Sequence, residues 1–397
     1  MEKVQDIIKN DLCLGCGLCE AILGQEKCKM VISEMGFYRP EFSSPVSKKE
    51  NELILNACPG IHIEGDNHKG IWGNIQSVTE SWATDQVLRK KSATGGVISA
   101  LAIYLLESQK VNGILQIGVK EGDWLHNQLL ISRTRQDIFN NAQSRYAPAL
   151  VFDKIIEILD TGPDIFGFIG KPCDIAGIKN FMSLYPQFEG RIKYTLAIFC
   201  AGIPSYNATA SLVASAEKNE DPVSLKYRGD GWPGEFVAKW ADGTSFKASY
   251  NDSWGKVLGR TLGLRCKICP DGIGLLADIS TGDSWNTKDG YPDFTEADGR
   301  NFCFIRTANG KELYEGAVAH EYIVSKDMVI GNIKNMHQYQ YYRRIFSGWR
   351  ILAMQLITKK LLRYNGVGLS NISFKINPLR GLREFAGTLK RYGKNNK

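Results

Sequence analysis

Ten cysteines are the residues of this 397-residue chain with the clearest capacity for chemistry. Cys13, Cys16 and Cys19 form a C-x-x-C-x-x-C run, the spacing with which iron-sulfur proteins supply three thiolates. Cys58 precedes a proline, as the last ligand of a ferredoxin run does, and is the predicted fourth ligand, with Cys28 as its competitor. A structural zinc site is the alternative, but zinc usually takes paired C-x-x-C units or histidines. The spacing therefore predicts a four-iron cluster near the N-terminus.

A second set of cysteines comes from segments that are far apart in the sequence. Cys266 and Cys269 form a C-x-x-C pair followed by Pro270, but two thiolates do not complete a cluster site. Cys173 and Cys200 each follow an apolar run that is typical of a strand ending in a turn. Because ligands gather at the carboxyl ends of strands in open α/β sheets, these two can join the pair in a second four-iron cluster. Two buried, inert cysteines are the alternative.

A polar, glycine-rich segment precedes a strongly apolar helix. The segment contains Ser92, Thr94, Gly95 and Gly96, and the apolar stretch runs from Val97 to Leu106. A helix start with free backbone N–H groups and nearby hydroxyls can bind the phosphate of a nucleotide. Simple helix capping is the alternative for this segment.

Two further motifs could face a planar cofactor. Ser144, Arg145 and Tyr146 combine a hydroxyl, a guanidinium and an aromatic ring, which together can hold a phosphate or stack on a flavin. An ordinary polar surface turn is the alternative. Trp232 lies in a turn-rich loop and can stack on a cofactor, although filling the core is the more common role of a tryptophan.

These motifs need a scaffold of alternating strands and helices. The segment from Gly113 to Val119 has the pattern of a strand, and Asp242 with the following glycine marks a hairpin turn. Such alternation predicts an α/β (mixed α+β) fold. We expect three parts: a ferredoxin-like cluster domain in residues 1–70, a cofactor-binding α/β core in residues 71–335, and a basic helical tail in residues 336–397.

The net charge of +7 is concentrated in the tail. From Arg343 onward the chain has thirteen basic residues and one acidic residue, so the charge is interpreted as belonging to an appendage. Apolar residues recur at helical spacing beside these charges, namely Ile345, Trp349, Leu352 and Leu356. The pattern predicts an amphipathic helix that packs on the core. Docking to an acidic electron carrier or to an anionic membrane surface is the alternative.

The sequence also indicates where the protein works. Its first residues lack the basic start and apolar run of a signal peptide, and the stretch from Val97 to Leu106 is too short to cross a bilayer. We therefore expect a cytoplasmic protein with reduced thiols, with peripheral contact at the inner membrane face through the tail. A zinc protein with a nucleic-acid-binding tail would explain neither the glycine loops nor the order of the motifs, so no nucleic-acid partner is expected.

Taken together, the motifs resemble the coenzyme F420 hydrogenase/dehydrogenase beta-subunit family over roughly residues 8 to 320. The resemblance rests on the segments Cys13 to Cys19, Gly36-Phe-Tyr-Arg-Pro, Cys58-Pro-Gly, Thr94-Gly-Gly, Ser144-Arg-Tyr, Gly170-Lys-Pro-Cys-Asp-Ile-Ala-Gly, Tyr227-Arg-Gly-Asp-Gly-Trp-Pro-Gly, Cys266 to Trp285 and Arg306-Thr. It implies an iron-sulfur flavoprotein with FAD in an α/β core. The family includes beta subunits of deazaflavin-reducing hydrogenases and bacterial members associated with surface-polysaccharide genes.

The resemblance also implies roles for individual residues. Those matching the flavin-binding motifs are Ser92, Thr94, Gly95, Gly96, Ser144, Arg145, Tyr146 and Lys171. Arg145 stands where the family has lysine, a change that a phosphate contact would survive. Those matching the cluster beside the flavin are Cys173, Cys200, Cys266 and Cys269. No motif identifies a catalytic residue or the residues that would bind a deazaflavin.

The implied function is an oxidoreductase with FAD and two four-iron clusters. It would pass electrons between a two-electron donor or acceptor, such as coenzyme F420 or another small organic substrate, and ferredoxin or a similar electron-transfer protein. The alternative is an electron-transfer subunit that has no organic substrate of its own and serves a partner enzyme.

Overall fold

The computed structural model describes residues 3–359, 361–373 and 377–395. The N-terminal region combines short helices with a hairpin: α1 (Val4–Lys9), α2 (Leu18–Leu23), β1 (Cys28–Ile32), β2 (Tyr38–Phe42), α3 (Lys48–Ala57) and β3 (His62–Glu64). Helix α3 begins with a capping box, in which the Ser47 hydroxyl accepts from the Glu50 N–H and the Glu50 carboxylate accepts from the Ser47 N–H. Its C-terminal end delivers Cys58.

The central region is built on one large sheet with smaller sheets beside it. Its strands are β4 (Ser77–Ala83), β5 (Gly113–Val119), β6 (Asn127–Ser132), β7 (Phe166–Gly170), β8 (Ile192–Ile198), β9 (Ser224–Lys226), β10 (Phe236–Lys239), β11 (Ser245–Ala248), β12 (Ile279–Asp283), β13 (Asn286–Lys288), β14 (Tyr291–Asp293), β15 (Asn301–Ile305) and β16 (Ile323–Asp327). Eight of them form a sheet in the order β16-β4-β15-β12-β8-β7-β5-β6. Strands β12, β8, β7 and β5 are parallel to one another, and the outer strands are antiparallel.

Helices cover both faces of this sheet. Those of the central region are α4 (Gln86–Lys91), α5 (Val97–Glu107), α6 (Arg135–Asn140), α7 (Ile155–Asp160), α8 (Pro172–Leu184), α9 (Tyr206–Ala214), α10 (Leu264–Lys267) and α11 (Ala308–Ala319). Adjacent residues of β5 point to opposite faces, so Ile114 packs in the cluster with α5 and Leu115 packs in the cluster with α8. The predicted α/β class is confirmed.

The parallel strands bring distant loops to one edge of the sheet. Strand β7 leads into α8, whose first residues are Pro172 and Cys173, and β8 is followed by Cys200. Strand β12 ends at Asp283. The carboxyl ends of parallel strands lie on the same side, so these residues meet although they are far apart in the sequence.

The C-terminal region packs against the rest of the protein. It contains α12 (Ile333–Met336), α13 (Gln338–Ile357), β17 (Arg363–Asn365), α14 (Leu369–Ser373) and α15 (Pro378–Asn395). Strand β17 pairs in parallel with β3 of the N-terminal region. Within the described residues, no helix is both long and apolar enough to cross a membrane.

The interpretation of the tail charge as belonging to an appendage is wrong for its first two arginines. Arg343 and Arg344 on α13 are 2% and 0% exposed, and backbone carbonyls of the central region accept their hydrogen bonds. The predicted apolar stripe divides along the helix: Ile345 is buried, whereas Leu356 is 68% exposed. Three tail lysines, Lys360, Lys375 and Lys397, lie outside the described residues.

Candidate functional site

Four cysteines of the N-terminal region line one small cavity, which we call the first quartet: Cys13, Cys16, Cys19 and Cys58. Cys28 is fully buried on β1 and is not part of the cavity lining. Glycines allow the loop to wrap closely, since Gly15 has a φ of +68° and a Cβ there would lie 2.8 Å from the Tyr38 carbonyl oxygen.

Burial and mutual proximity dominate the electrostatics of the first quartet. Burial raises the pKa of the Cys58 thiol to about 12, and the charge of Cys13 adds to the increase. Burial likewise raises the pKa of Cys19 well above its usual range, with further contributions from Cys58, Cys13 and Cys16. Four thiolates held this close would need positive charge to compensate them, as a bound metal centre would supply.

The second set, which we call the core quartet, also comes together: Cys173, Cys200, Cys266 and Cys269. Burial raises the pKa of Cys200 to about 12 against the opposing effect of Arg343, and Cys266 and Cys269 add to the increase. Burial also raises the pKa of Cys173, and Cys200 and Cys269 are among the charges that act on it. Each thiol is therefore close enough to interact electrostatically with at least two of the others.

In the described part of the chain, no three Cys, His, Asp or Glu side chains are arranged to hold a single metal ion. A four-iron cluster does not require that arrangement, because each thiolate binds a different iron atom. Thiolate sulfur is the ligand that such clusters take, so the donor set of both quartets fits them.

The two quartets are neighbours joined by a buried arginine and a tyrosine. Arg265 donates from Nε to the Gly60 carbonyl oxygen at 2.6 Å and from Nη2 to the Pro59 carbonyl oxygen at 2.9 Å. Its guanidinium lies 5.0 Å from the centre of the Tyr364 ring. Burial raises the pKa of Tyr364, and thiolates of both quartets, Cys269 and Cys58, contribute to the increase.

A cleft of about 600 Å³ opens at the carboxyl ends of the parallel strands, and we call it the strand-end cleft. Its volume is within the usual range for cofactor sites. Seven of the eight predicted cofactor-binding residues line it together with one cysteine of the core quartet: Ser92, Thr94, Gly96, Ser144, Arg145, Tyr146, Lys171 and Cys200.

The segment before α5 has the features of a phosphate site. The Ser92 hydroxyl is buried and has no hydrogen-bond partner in the described structure. Gly96, with a φ of +77°, is the N-cap of α5 and has no side chain to cap the helix, and the Val97 N–H donates to Asn301 Oδ1 at 3.4 Å. An unsatisfied buried hydroxyl beside a helix N-terminus whose N-cap is a glycine fits a bound phosphate. Thr94 differs, because its hydroxyl lies 2.8 Å from the Asn301 amide nitrogen and is already paired.

Gly95 is the one predicted cofactor-binding residue that is not part of the cleft lining. A Cβ at this position would lie 2.8 Å from Asn301 Oδ1 and 2.9 Å from Arg300 Cα. A side chain at this position would therefore clash with the start of β15. The requirement for glycine here comes from this packing and does not depend on a phosphate close to its backbone. Sequence spacing alone could not separate Gly95 from Gly96.

Arg145 lines the cleft, but its hydrogen bonds go to the protein. Nε donates to Asn127 Oδ1 at 2.7 Å, and Nη1 donates to the Leu225 carbonyl oxygen at 3.1 Å. The guanidinium also lies 4.9 Å from the centre of the Tyr227 ring. Arg145 thus fixes the loop that carries Ser144 and Tyr146, and the structure gives no free donor edge for the phosphate contact expected from the sequence.

Lys171 forms a buried ion pair at the junction of cleft and core quartet. Its Nζ lies 2.6 Å from Asp174 Oδ2. Burial opposes the charge of Lys171, but Asp174 and the thiolates of Cys173 and Cys200 raise its pKa above the usual value. The lysine is therefore a fixed positive charge between the cleft and the sulfur ligands.

The structure adds a buried group that sequence reasoning missed. Arg228 forms two hydrogen bonds with the Asp283 carboxylate, at 3.0 and 2.6 Å, and Trp232 Nε1 donates to the same carboxylate at 2.7 Å. Trp232 also stacks on Trp285 at 4.5 Å between ring centres. Trp232 fills the core as predicted, while Arg228, Asp283 and Trp285 line the cleft. Both loops had recognisable motifs, but no local signal pairs residues that are 55 positions apart.

Two family models match the chain and together cover more than half of it. The N-terminal model of the coenzyme F420 hydrogenase/dehydrogenase beta subunit matches residues 78–156, and the C-terminal model matches residues 164–330. The chain belongs to the coenzyme F420 hydrogenase/dehydrogenase beta-subunit family. The predicted resemblance is confirmed. The segments that match the family contain the core quartet and most of the loops of the strand-end cleft, whereas the first quartet and α13, whose first residues also line the cleft, lie outside them.

Individual relatives agree with this membership. The coenzyme F420 hydrogenase subunit beta of Methanosarcina barkeri is 26% identical over 252 residues, which are 62% of this chain and 80% of the relative. The corresponding subunit of Methanococcus voltae is 27% identical over 248 residues, with 60% and 80% coverage. A coenzyme F420-dependent sulfite reductase of Methanocaldococcus jannaschii is 22% identical over 331 residues, which cover 78% of this chain and 47% of the relative.

The fold has a solved counterpart. A chain of the F420-reducing [NiFe] hydrogenase complex from Methanosarcina barkeri superposes with a TM-score of 0.57 at 22% identity, covering 77% of this chain and 99% of that chain. At this level of identity the likeness concerns the fold alone.

Proposed function

We propose that this protein is an iron-sulfur flavoprotein subunit of an oxidoreductase, with FAD in the strand-end cleft and a four-iron cluster at each cysteine quartet. One observation carries the proposal: Cys200 belongs to the core quartet and also lines the cleft. A flavin in the cleft would therefore lie beside a one-electron centre. The first quartet, joined to the core quartet through Arg265, would provide the port for an external electron carrier.

Different residues of the cleft would bind different parts of the cofactor. FAD supplies the exchange of a two-electron hydride for single electrons. The Ser92 hydroxyl and the N-terminus of α5 would bind a phosphate. Tyr146 and Trp254, with ring centres 4.8 Å apart, would shield a planar group from water. Lys171 would hold positive charge where electrons cross from the cleft to the sulfur ligands.

The names of the relatives support a proposal for the substrate class. Those named above are beta subunits of F420 hydrogenases and an F420-dependent sulfite reductase, and another is the beta subunit of an F420-dependent formate dehydrogenase from Methanococcus maripaludis. We therefore propose a deazaflavin of the F420 type as the two-electron partner and a ferredoxin-like protein as the one-electron partner.

A second candidate is an electron-transfer subunit that lacks its own organic substrate. The names of the relatives as subunits favour a catalytic partner enzyme in either case. A role in surface-polysaccharide synthesis rests on family resemblance alone. Peripheral membrane contact would use α15, where Leu379 and Leu382 are 68% and 53% exposed beside basic residues.

A reduction experiment separates the two candidates. The anaerobically purified protein, without any partner, is mixed with chemically reduced F420 and its absorption is followed. Bleaching of the flavin and cluster bands is expected if the chain accepts electrons from a deazaflavin. If the bands bleach only after a partner enzyme is added, the chain is an electron-transfer subunit without an organic substrate.

Ser92→Ala is expected to weaken FAD binding by about fivefold, because one net hydrogen bond contributes roughly 1 kcal/mol and 1.4 kcal/mol is a factor of ten. The hydroxyl has no partner in the described structure, so the flavin-free variant should be as stable as the parent. The dissociation constant is measured by flavin fluorescence on reconstitution. Thr94→Val serves as the comparison, since it removes a hydroxyl that is paired with Asn301 and should lower stability instead. Unchanged FAD affinity in Ser92→Ala would remove Ser92 from the phosphate site.

A further inference from the structure

Two buried arginines face the core quartet without a carboxylate to neutralise them. Arg265 and Arg343 are each 2% exposed. The charges acting on both guanidiniums come from cysteine thiolates and tyrosines, and among the described residues neither forms an ion pair with an acid. Burying an unpaired charge is costly, so a compensating negative group is expected beside it.

Arg343 has a donor that nothing in the described structure uses. Nη2 donates to the Cys200 carbonyl oxygen, and Nη1 donates to the Ala201 carbonyl oxygen at 3.3 Å. Nε is buried and lacks a hydrogen-bond partner. Burial disfavours the charge of this guanidinium, but Cys269, Cys200 and Cys266 raise its pKa above the usual value. The unused N–H therefore belongs to a guanidinium whose positive charge is stabilised by the cysteines of the core quartet.

A glycine near Cys269 leaves space for this guanidinium. Gly272, three residues after Cys269, has a φ of +91°, and a Cβ there would lie 1.6 Å from Arg343 Nη2. Helix α13 is fixed against the same loop by Ser347, whose hydroxyl donates to the Cys269 carbonyl oxygen at 2.9 Å. The cysteine loop thus leaves the space that Arg343 occupies, although Arg343 lies in a part of the chain outside the family match.

The first quartet has a different charge environment. Arg39 acts on Cys13, but its Nη2 lies 2.8 Å from Asp11 Oδ1, so the pair is close to neutral. Arg265 reaches this quartet through the carbonyls of Pro59 and Gly60 and lowers the pKa of Cys58, against the dominant effect of burial. Arg265 therefore interacts with cysteines of both quartets, whereas the cysteines that interact with Arg343 belong to the core quartet.

Reduction of a cluster by one electron adds one negative charge, and nearby positive charge and hydrogen bonds to sulfur make that state more favourable. We propose that Arg343 is a redox-tuning residue that gives the core cluster a higher reduction potential than the first cluster, while Arg265 raises the potentials of both. An electron entering from either side would then rest on the core cluster, beside the cleft. This inference depends on the proposed clusters and goes beyond them in assigning their order and its cause.

Redox titration of the full-length protein, monitored by electron paramagnetic resonance, tests the proposal. In Arg343→Gln the oxidised-to-reduced ratio of the core cluster at a fixed potential is expected to increase about tenfold, which is a fall of 59 mV for a one-electron couple. The first cluster should keep its potential. Arg343→Lys, which retains the charge, should return the core cluster most of the way to the parent value. Arg265→Gln should lower the potentials of both clusters.

Matched variants make the outcome decisive. Arg191 also donates to backbone carbonyls, those of Asp164 and Leu159, but belongs to neither quartet, so Arg191→Gln should leave both potentials unchanged. A core cluster that keeps its potential in Arg343→Gln, or that falls equally in Arg343→Lys, would overturn the tuning role. If Arg343→Gln loses iron, the parent protein and Arg343→Lys decide the question: a parent core cluster with a potential no higher than that of the first cluster would overturn the proposal. A parent protein without two cluster signals would instead refute the proposed function.

Discussion

Cys269→Ser is expected to lose about half of the iron and acid-labile sulfide of the parent protein, because one of two four-iron clusters needs that thiolate and a serine oxygen is a poor substitute. Cys266→Ser should behave in the same way. Flavin binding should also weaken, since the core quartet shares Cys200 with the strand-end cleft. Iron, sulfide and FAD are counted per chain after anaerobic purification.

Cys303→Ser is the matched control for this loss. Cys303 is fully buried on β15, and the hydroxyls of Ser81 and Thr79 lie beside its thiol, so a serine can replace it without leaving a polar group unpaired. Full iron content is expected there. Comparison of Cys58→Ser with Cys28→Ser identifies the fourth ligand of the first quartet in the same assay. Retention of all iron in both Cys266→Ser and Cys269→Ser would contradict the core cluster.

Arg228→Met is expected to lower the free energy of unfolding by about 3–5 kcal/mol, the usual effect of removing one partner from a buried ion pair. The change leaves the Asp283 carboxylate with Trp232 as its side-chain donor in a buried site. Urea denaturation of the flavin-free protein measures the effect independently of FAD binding.

An exposed ion pair nearby provides the comparison. Lys226 and Asp230 are 2.7 Å apart and partly exposed, so Lys226→Met should cost at most about 1 kcal/mol. Equal losses in Arg228→Met and Lys226→Met would show that burial of the Arg228–Asp283 pair does not stabilise the cleft wall.

Local sequence signals were sufficient for much of the scaffold. The predicted strand from Gly113 to Val119 matches β5, and the turn at Asp242 joins β10 to β11. Both signals depend on short-range patterns of apolar residues and turn residues. The meeting of Cys173 with Cys200 was also predictable, because the parallel arrangement of β7 and β8 follows from the α/β class.

Features that depend on long-range packing were not predictable. Arg343 and Arg344 have the pattern of surface charges in the sequence. Their neighbours do not reveal that the carbonyl oxygens of Cys200 and Pro270, 143 and 74 residues away, accept their hydrogen bonds. Arg145 has the composition of a phosphate ligand, but its donors are taken by Asn127 and Leu225. In each case the tertiary partner decides the role, and a single sequence does not name that partner.

The most direct test of the proposed function is the cofactor content of the anaerobically purified protein, determined together with its absorption spectrum. The proposed function predicts one FAD and about eight iron atoms with matching sulfide per chain, since each of two clusters holds four irons. The spectrum should show flavin bands superimposed on broad iron-sulfur absorption. A colourless protein that contains zinc, or a protein with iron but no flavin in the strand-end cleft, would contradict it.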